Sequence, residues 1–332
     1  MRTLFFKNKP IIKETSSIGG PKEVAGGIGA YFDNKMTDDT FGEKTFEKAE
    51  AKMMYVAIKT LLKKSQLKEE DVNAIISGDL LNQIISSTFS ARNFNSGYLG
   101  VYDACATFTE SLILGGTLID GGYFSNVICG TSSHFSSAER QYRYPLELGS
   151  VRPPLSQWTV TGAGVCHLTV NQQNNENKPK LTCATVGKIV DYGVVDANNM
   201  GAAMAPSASD TLITHFKETG RDPSYYDLII SGDLGTLGSR ILKDLTWDKG
   251  FNIEDQHVDC GELIYNLNET EYQGGSGAGC SSLVFCSYIY EKLRKNKLKK
   301  VLLMSTGALL SSLSSQQGES IPGVSHAVAI EL

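Results

Sequence analysis

Between residues 45 and 62, apolar positions recur at three- and four-residue spacing (Phe46, Ala49, Met53, Val56, Ala57, Thr60, Leu61), while Glu47, Lys48, Lys52, Lys59 and Lys63 fall mostly elsewhere. That period predicts an amphipathic helix lying on a core. A second helical segment is predicted over 207–218. Two further segments, 107–119 and 282–289, are apolar nearly all round, with Phe108, Leu112, Ile113, Leu114 and Leu118 in the first. Helices of that kind belong inside, between layers.

The strand signals repeat. Ile75-Ile76-Ser77-Gly78-Asp79-Leu80 recurs letter for letter as Ile229-Ile230-Ser231-Gly232-Asp233-Leu234, 154 residues later. In each copy a helical segment and a short polar turn precede the apolar strand. Downstream, Asp103-Ala104-Cys105-Ala106-Thr107 and the strand from Asn126 align with Gly277-Ala278-Gly279-Cys280-Ser281 and the strand from Lys300 at an offset of 174, so the second copy carries 20 extra residues. A duplicated strand, turn, helix, strand unit predicts an α/β protein of two pseudo-symmetric halves, 1–171 and 172–332. The polar stretch 171–179 joins them, and five alternating helix and sheet layers are expected.

Composition narrows the function. The 332 residues carry 31 basic and 36 acidic side chains, a formal charge of −5. With no dense basic stripe, no nucleic-acid partner is expected. Seven Cys are scattered without a Cys-x-x-Cys pair or paired His spacing, so neither a disulfide framework nor a metal site is expected, and no cofactor is implied. The first seven residues hold only a three-residue apolar run, far short of a secretory signal, and suggest a reduced, cytoplasmic start. Residues 272–290 lack charge, but four Gly and four Ser make them a poor membrane span.

Cys105 stands where a small-residue turn enters a buried helix. Unpaired N–H groups there would favour a thiolate or a bound carboxylate; the bland alternative is a small buried filler. The matching turn of the second half, Gly274-Gly275-Ser276-Gly277-Ala278-Gly279, lets backbone approach the same centre. A duplicated α/β unit with Cys at the start of a central helix resembles the thiolase fold, and Asp-Ala-Cys-Ala-Thr-Phe resembles the nucleophile turn of ketoacyl-acyl carrier protein synthase III. A fuller set of motifs is similar to the stage V sporulation protein AD (SpoVAD) family. The set comprises Gly78 to Ile84, Ser132 to Arg143, Gln157-Trp158-Thr159-Val160-Thr161-Gly162-Ala163-Gly164, Met200 to Pro206, and Thr306 to Ser311.

The resemblance implies binding rather than condensation. It implies a thiolase-like subunit of the SpoVA apparatus, which takes dipicolinic acid (pyridine-2,6-dicarboxylate), with calcium as its chelate, into the developing spore. It also implies peripheral association with the spore inner membrane through other SpoVA membrane proteins. A homodimer through an edge strand is common in the fold. The residues agree with loss of the enzyme. Where a synthase-type His is expected the chain has Ser231-Gly232-Asp233; where a thiolase-type Gly-His-Pro is expected, Glu271-Tyr272-Gln273; where a second Cys is expected, Ser305-Thr306-Gly307. No catalytic residue is therefore assigned. The alternative is a Cys-dependent acyl transferase or condensing enzyme whose base is His134 or His257.

A flat dicarboxylate needs donors for two carboxylates and an apolar surface for its ring. The expected ligand set is Cys105, Ala106 and Thr107 with their N–H groups, His134 at a strand end, Gln157, Trp158 as a stacking surface, and Ser305 and Thr306 from the other half. Arg140, Arg143 and Arg152 are cationic candidates, with a solvated ion pair the preferred reading for Arg140 and Arg143. Asp103 introduces a negative charge beside the supposed anion site, which disfavours a dianion unless calcium accompanies it.

Overall fold

The computed structural model describes residues 1–142, 151–171, 177–266 and 273–332. Arg143, Glu271, Tyr272 and most of the 171–179 joint lie outside the described residues.

In the first half, strands β1 (Ile11–Gly19), β2 (Ala74–Gly78), β3 (Gly97–Gly100), β4 (Asn126–Ser133) and β5 (Gly162–Thr169) pair in the order β1-β5-β4-β2-β3. In the second, β6 (Lys180–Thr185), β7 (Leu228–Ser231), β8 (His257–Asp259), β9 (Lys300–Ala308) and β10 (Gly323–Glu331) pair as β6-β10-β9-β7-β8. The two orders are the same, and so are the directions: β4-β2-β3 and β9-β7-β8 run parallel, while β5 and β10 are antiparallel to both neighbours. The register repeats as well. Ala74 pairs with Val127 and Leu228 with Val301, so the offsets of 154 and 174 read from the sequence meet residue for residue across the ladder.

The two halves were expected to form separate sheets. Instead β1 and β6 touch at one residue pair, Ile11 with Lys180, and bonds from Ile12 N–H to Pro179 and from Leu181 N–H to Pro10 extend the seam. The half-sheets thus join at one corner.

Helices α1 (Phe46–Ser65), α2 (Ile85–Ala91), α3 (Thr107–Asp120), α4 (Met200–Thr219), α5 (Gly235–Trp247) and α6 (Ala278–Val284) complete the layers. Thr45 caps α1 by accepting from the Lys48 N–H at 3.3 Å, and Gln66 ends it in the left-handed conformation. α1 covers the outer face of the first half-sheet and α4 that of the second. α3 lies between them, against β2 and β4 on one side and β9 and β10 on the other, and α6 shares this central layer. The repeated strand shows how one sequence serves both faces. Ile75 and Ile229 join the two outer cores, while Ile76 and Ile230 turn inward to the core around Phe108, Leu283 and Phe285. The fold is the five-layered, thiolase-like α-β-α-β-α arrangement.

Two helix boundaries differ from expectation. α4 starts at Met200, not residue 207, and carries Pro206 inside it. Asn199 accepts from the Ala202 N–H, and Gly201 packs so close to α5 that a Cβ would stand 2.5 Å from the Leu234 carbonyl, so packing outweighs the proline. The expected 282–289 helix is the middle of a longer one that starts at Ala278 and continues through a π-helical turn, Phe285–Ile289, to Arg294. Among the described residues, no helix is long and apolar enough to cross a membrane.

Candidate ligand site

The duplicated turns meet at the centre. Asp103 to Thr107 form one tight turn: the Ala106 N–H donates to the Asp103 carbonyl at 2.9 Å, and the Thr107 N–H donates to the Ala104 carbonyl. The Thr107 hydroxyl donates to the same Ala104 carbonyl at 2.6 Å and accepts from the Asp103 N–H at 2.9 Å. Ala104 takes a left-handed φ of 50°, which costs a non-glycine residue energy and aims Cys105 inward. Of the three N–H groups expected to await a carboxylate, the 3₁₀ turn consumes those of Ala106 and Thr107.

Facing Cys105 from the second half is Asp233, the last acidic residue of the repeated motif, and it is fully buried. Its carboxylate accepts from Thr306 Oγ1 at 2.7 Å, Ser276 Oγ at 3.0 Å and the Gly277 N–H at 3.1 Å. Gly277, at φ 110°, supplies that N–H from a conformation that favours glycine. Burial raises the Asp233 pKa against these bonds. Burial also holds the Cys105 thiol well above its ordinary range, and the adjoining Asp233 charge pushes it further in the same direction. The sulfur is a protonated thiol at neutral pH, the opposite of what nucleophilic catalysis requires.

The five histidines are engaged elsewhere. His134 is buried, donates from Nε2 to the Asp39 carbonyl at 2.7 Å, accepts from the Ser136 N–H at Nδ1, and lies 5.2 Å from the Phe46 ring. It follows β4 as expected but turns outward to α1, not inward to the cavity, and burial lowers its pKa. His257 bonds Ser231 Oγ at 2.9 Å, which in turn donates to Asp259. His326 accepts from the Gly187 N–H at Nδ1 and donates from Nε2 to Asp103 at 2.6 Å, so Asp103 points to the second half's last strand. His167 contacts Asn126, and His215 lies between Thr185 and Tyr226.

The remaining expected residues divide. Thr306 belongs to the Asp233 cradle. Ser305 donates to Ser281 inside the protein, and Gln157 is one layer back, donating from Nε2 to the Asp233 carbonyl at 2.5 Å. Trp158 stacks on Phe135 with centroids 4.0 Å apart, and Lys22 Nζ sits 4.2 Å from its ring centre. Its faces are therefore occupied, and it is no platform for a ligand. Arg140 forms an exposed ion pair with Glu47, and Arg152 pairs with Glu139 at 3.7 Å.

The space beside Cys105 is a narrow apolar cavity of about 40 Å³, walled by Leu80, Tyr102, Ala138, Tyr142, Met200 and Ala308. Through Tyr102, Tyr142 and Leu310 it adjoins an outer cleft of about 400 Å³ that also carries Asn82 and Ser311. Beside this cleft Gln83 and Ile84 are consecutive left-handed residues, a conformation costly for a β-branched side chain. These lining residues were not anticipated as ligand contacts, although all of them but Tyr102 fall within the motif segments that carry the family resemblance.

A central cysteine turn between duplicated half-sheets defines the thiolase-like class, and solved structures agree. The chain is similar to 3-oxoacyl-[acyl-carrier-protein] synthase III from Aquifex aeolicus, with 14% identity, a TM-score of 0.59 and coverage of 97% of this chain and 100% of that one. It is also similar to Xanthomonas campestris OleA, with 10% identity, a TM-score of 0.61 and 99% coverage of each chain. Within that class, the stage V sporulation protein AD family matches residues 1–331. Stage V sporulation protein AD of Bacillus subtilis (strain 168) is 38% identical over 330 residues, covering 99% of this chain and 96% of that protein. The chain belongs to the stage V sporulation protein AD family.

Proposed function

We propose that this sporulation protein is a non-catalytic binding subunit that takes pyridine-2,6-dicarboxylate as its neutral calcium chelate, for uptake into developing spores. The observation that carries the reading is buried Cys105 facing buried Asp233: a thiol held protonated by burial and by the adjoining carboxylate is a poor nucleophile. The outer cleft argues for the chelate. No cationic side chain is among the described residues that line it, so a bare dianion would find no counter-charge there, whereas the calcium complex has no net charge and brings its own oxygen ligands. The inner cavity is too small for the ring and its carboxylates, so the chelate occupies the outer cleft, whose volume falls within the usual range for small-molecule sites. Tyr102 supplies the flat surface there, and Asn82 and Ser311 supply polar contacts. Membrane contact is made through other SpoVA proteins, and a second copy pairs along the edge of β3, where Leu99 is exposed.

Titration calorimetry with pyridine-2,6-dicarboxylate, with and without equimolar calcium, tests the proposal. Heat is expected only with calcium, and Tyr102→Ala is expected to weaken affinity about tenfold, the loss of one aromatic contact. Binding of the calcium-free dianion would overturn the chelate, and no heat at millimolar ligand in either arm would overturn the binding role. The strained nucleophile turn at Ala104 favours one second reading, acyl transfer. Incubation with acyl-CoA followed by intact mass spectrometry tests it: an acyl adduct on Cys105 would establish a transferase, and unmodified protein is expected.

A further inference from the structure

Away from the central cavity, α1 and α2 enclose a surface cleft of about 350 Å³ lined by Lys48, Lys52 and Arg92 with one acid, Glu43. The protein as a whole carries −5, so a cleft with two more cations than anions runs against its overall charge. Lys52 is engaged with Glu43 at 3.1 Å and with the Phe41 carbonyl at 2.8 Å. Lys48 and Arg92 are exposed and, among the described residues, neither has a carboxylate in salt-bridge reach. The Arg92 guanidinium carbon lies over Phe89, 4.4 Å from the ring centre, a contact that holds the cation at the cleft while its N–H groups remain donors for a ligand. The rest of the wall is apolar: Ala51, Tyr55 and Phe89, the last 42% exposed.

From this arrangement we infer that the cleft binds a phosphate group carried on an organic anion. Three cationic side chains with one internal counter-charge match the oxygens and charge of a phosphate ester, and the apolar wall takes the hydrocarbon attached to it. The site is separate from the Cys105 cavity and does not depend on what that cavity binds. Lys63 continues the exposed row of α1 beyond the cleft and adds to the same field, while Lys59 between them is paired with Glu69 at 3.6 Å.

Two sources of the phosphate are separated by experiment. The full chain is mixed with glycerol 1-phosphate in calorimetry, and with vesicles of phosphatidylglycerol in phosphatidylcholine, or phosphatidylcholine alone, in flotation. The same measurements are made on Lys48→Glu/Arg92→Glu and on a control with equal charge change, Lys249→Glu/Lys297→Glu, at two exposed lysines remote in sequence. Binding of either phosphate probe that falls more than about tenfold in the cleft variant, but less than about twofold in the control, supports the site. Flotation with phosphatidylglycerol alone identifies a lipid headgroup, and heat with glycerol 1-phosphate alone a soluble ester. No binding in either arm, or equal losses in both variants, would overturn the inference.

Discussion

Cys105 and Asp233 are ordinary residues whose chemistry is set first by burial and then by their contact. The carboxylate has three donors from Thr306, Ser276 and Gly277, and it faces the thiol across the two halves. Removing its charge lowers the thiol pKa, so Asp233→Asn is expected to alkylate with iodoacetamide faster than the unsubstituted protein at pH 8, about tenfold per unit of pKa regained. The substitution also turns an amide NH₂ toward at least one of those donors. A loss of about 1–3 kcal/mol in urea unfolding is expected beside the faster labelling. Unchanged labelling in a folded variant would show that burial alone holds the thiol. Trp158, which its sequence position suggested as a stacking surface, lies between Phe135 and Lys22, and a linear pattern has no way to reveal such a sandwich.

The elements were legible where one period or one repeat governs them. The alternation within Ile75-Ile76 and Ile229-Ile230 gives both faces of both half-sheets, and the two offsets give the register of strands more than fifty residues apart. What escaped is set by contacts between elements. The α4 to α5 packing is the clearest case, since a Cβ on Gly238 would stand 2.9 Å from the Gly201 Cα. Backbone cannot yield there without parting two helices, so Gly238→Ala is expected to cost about 1–3 kcal/mol, read as a lower urea midpoint with an unchanged m-value. A neutral result would mean the helices separate at no cost. The site was legible only in outline: Cys105 and Thr306 face the centre as expected. His134 does not, because a residue just past a strand end can turn to either face, and here Asp39 and Phe46 draw it to the outer layer.

At the scale of the whole molecule, buried acids couple the stability of the fold to pH. Glu23, in the short helix Pro21–Val24, reaches from the first half to the second: its Oε1 accepts from the Thr161 N–H and the Tyr265 hydroxyl, while Oε2 is buried with no hydrogen-bond partner among the described residues. Burial raises its pKa from 4.5 to about 7 against those bonds, with a smaller push from Asp39. Lys22 next to it lies over Trp158 and 5.9 Å from the Tyr265 ring centre. Burial raises Asp259 to about 7 as well, from 3.8. Because the folded pKa exceeds the unfolded one, the native state holds more protons between these values, and the contribution of these two acids to stability is fully present below their ordinary pKa and lost as pH rises through 7. For Glu23 the loss between pH 5.5 and 8 is on the order of 2 kcal/mol. Glu23→Gln keeps an acceptor for Tyr265 and Thr161 and cannot ionise, so its urea midpoint at pH 8, taken relative to that at pH 5.5, should be higher than in the unsubstituted protein. The remaining slope combines Asp259 and Glu110, both raised to about 7, with the buried histidines His167, His215 and His257, whose lowered pKa values act in the opposite direction. Equal slopes in the two proteins would mean that the Glu23 carboxyl is ionised in the fold already at pH 5.5, and that its unpartnered oxygen is compensated by something other than a proton.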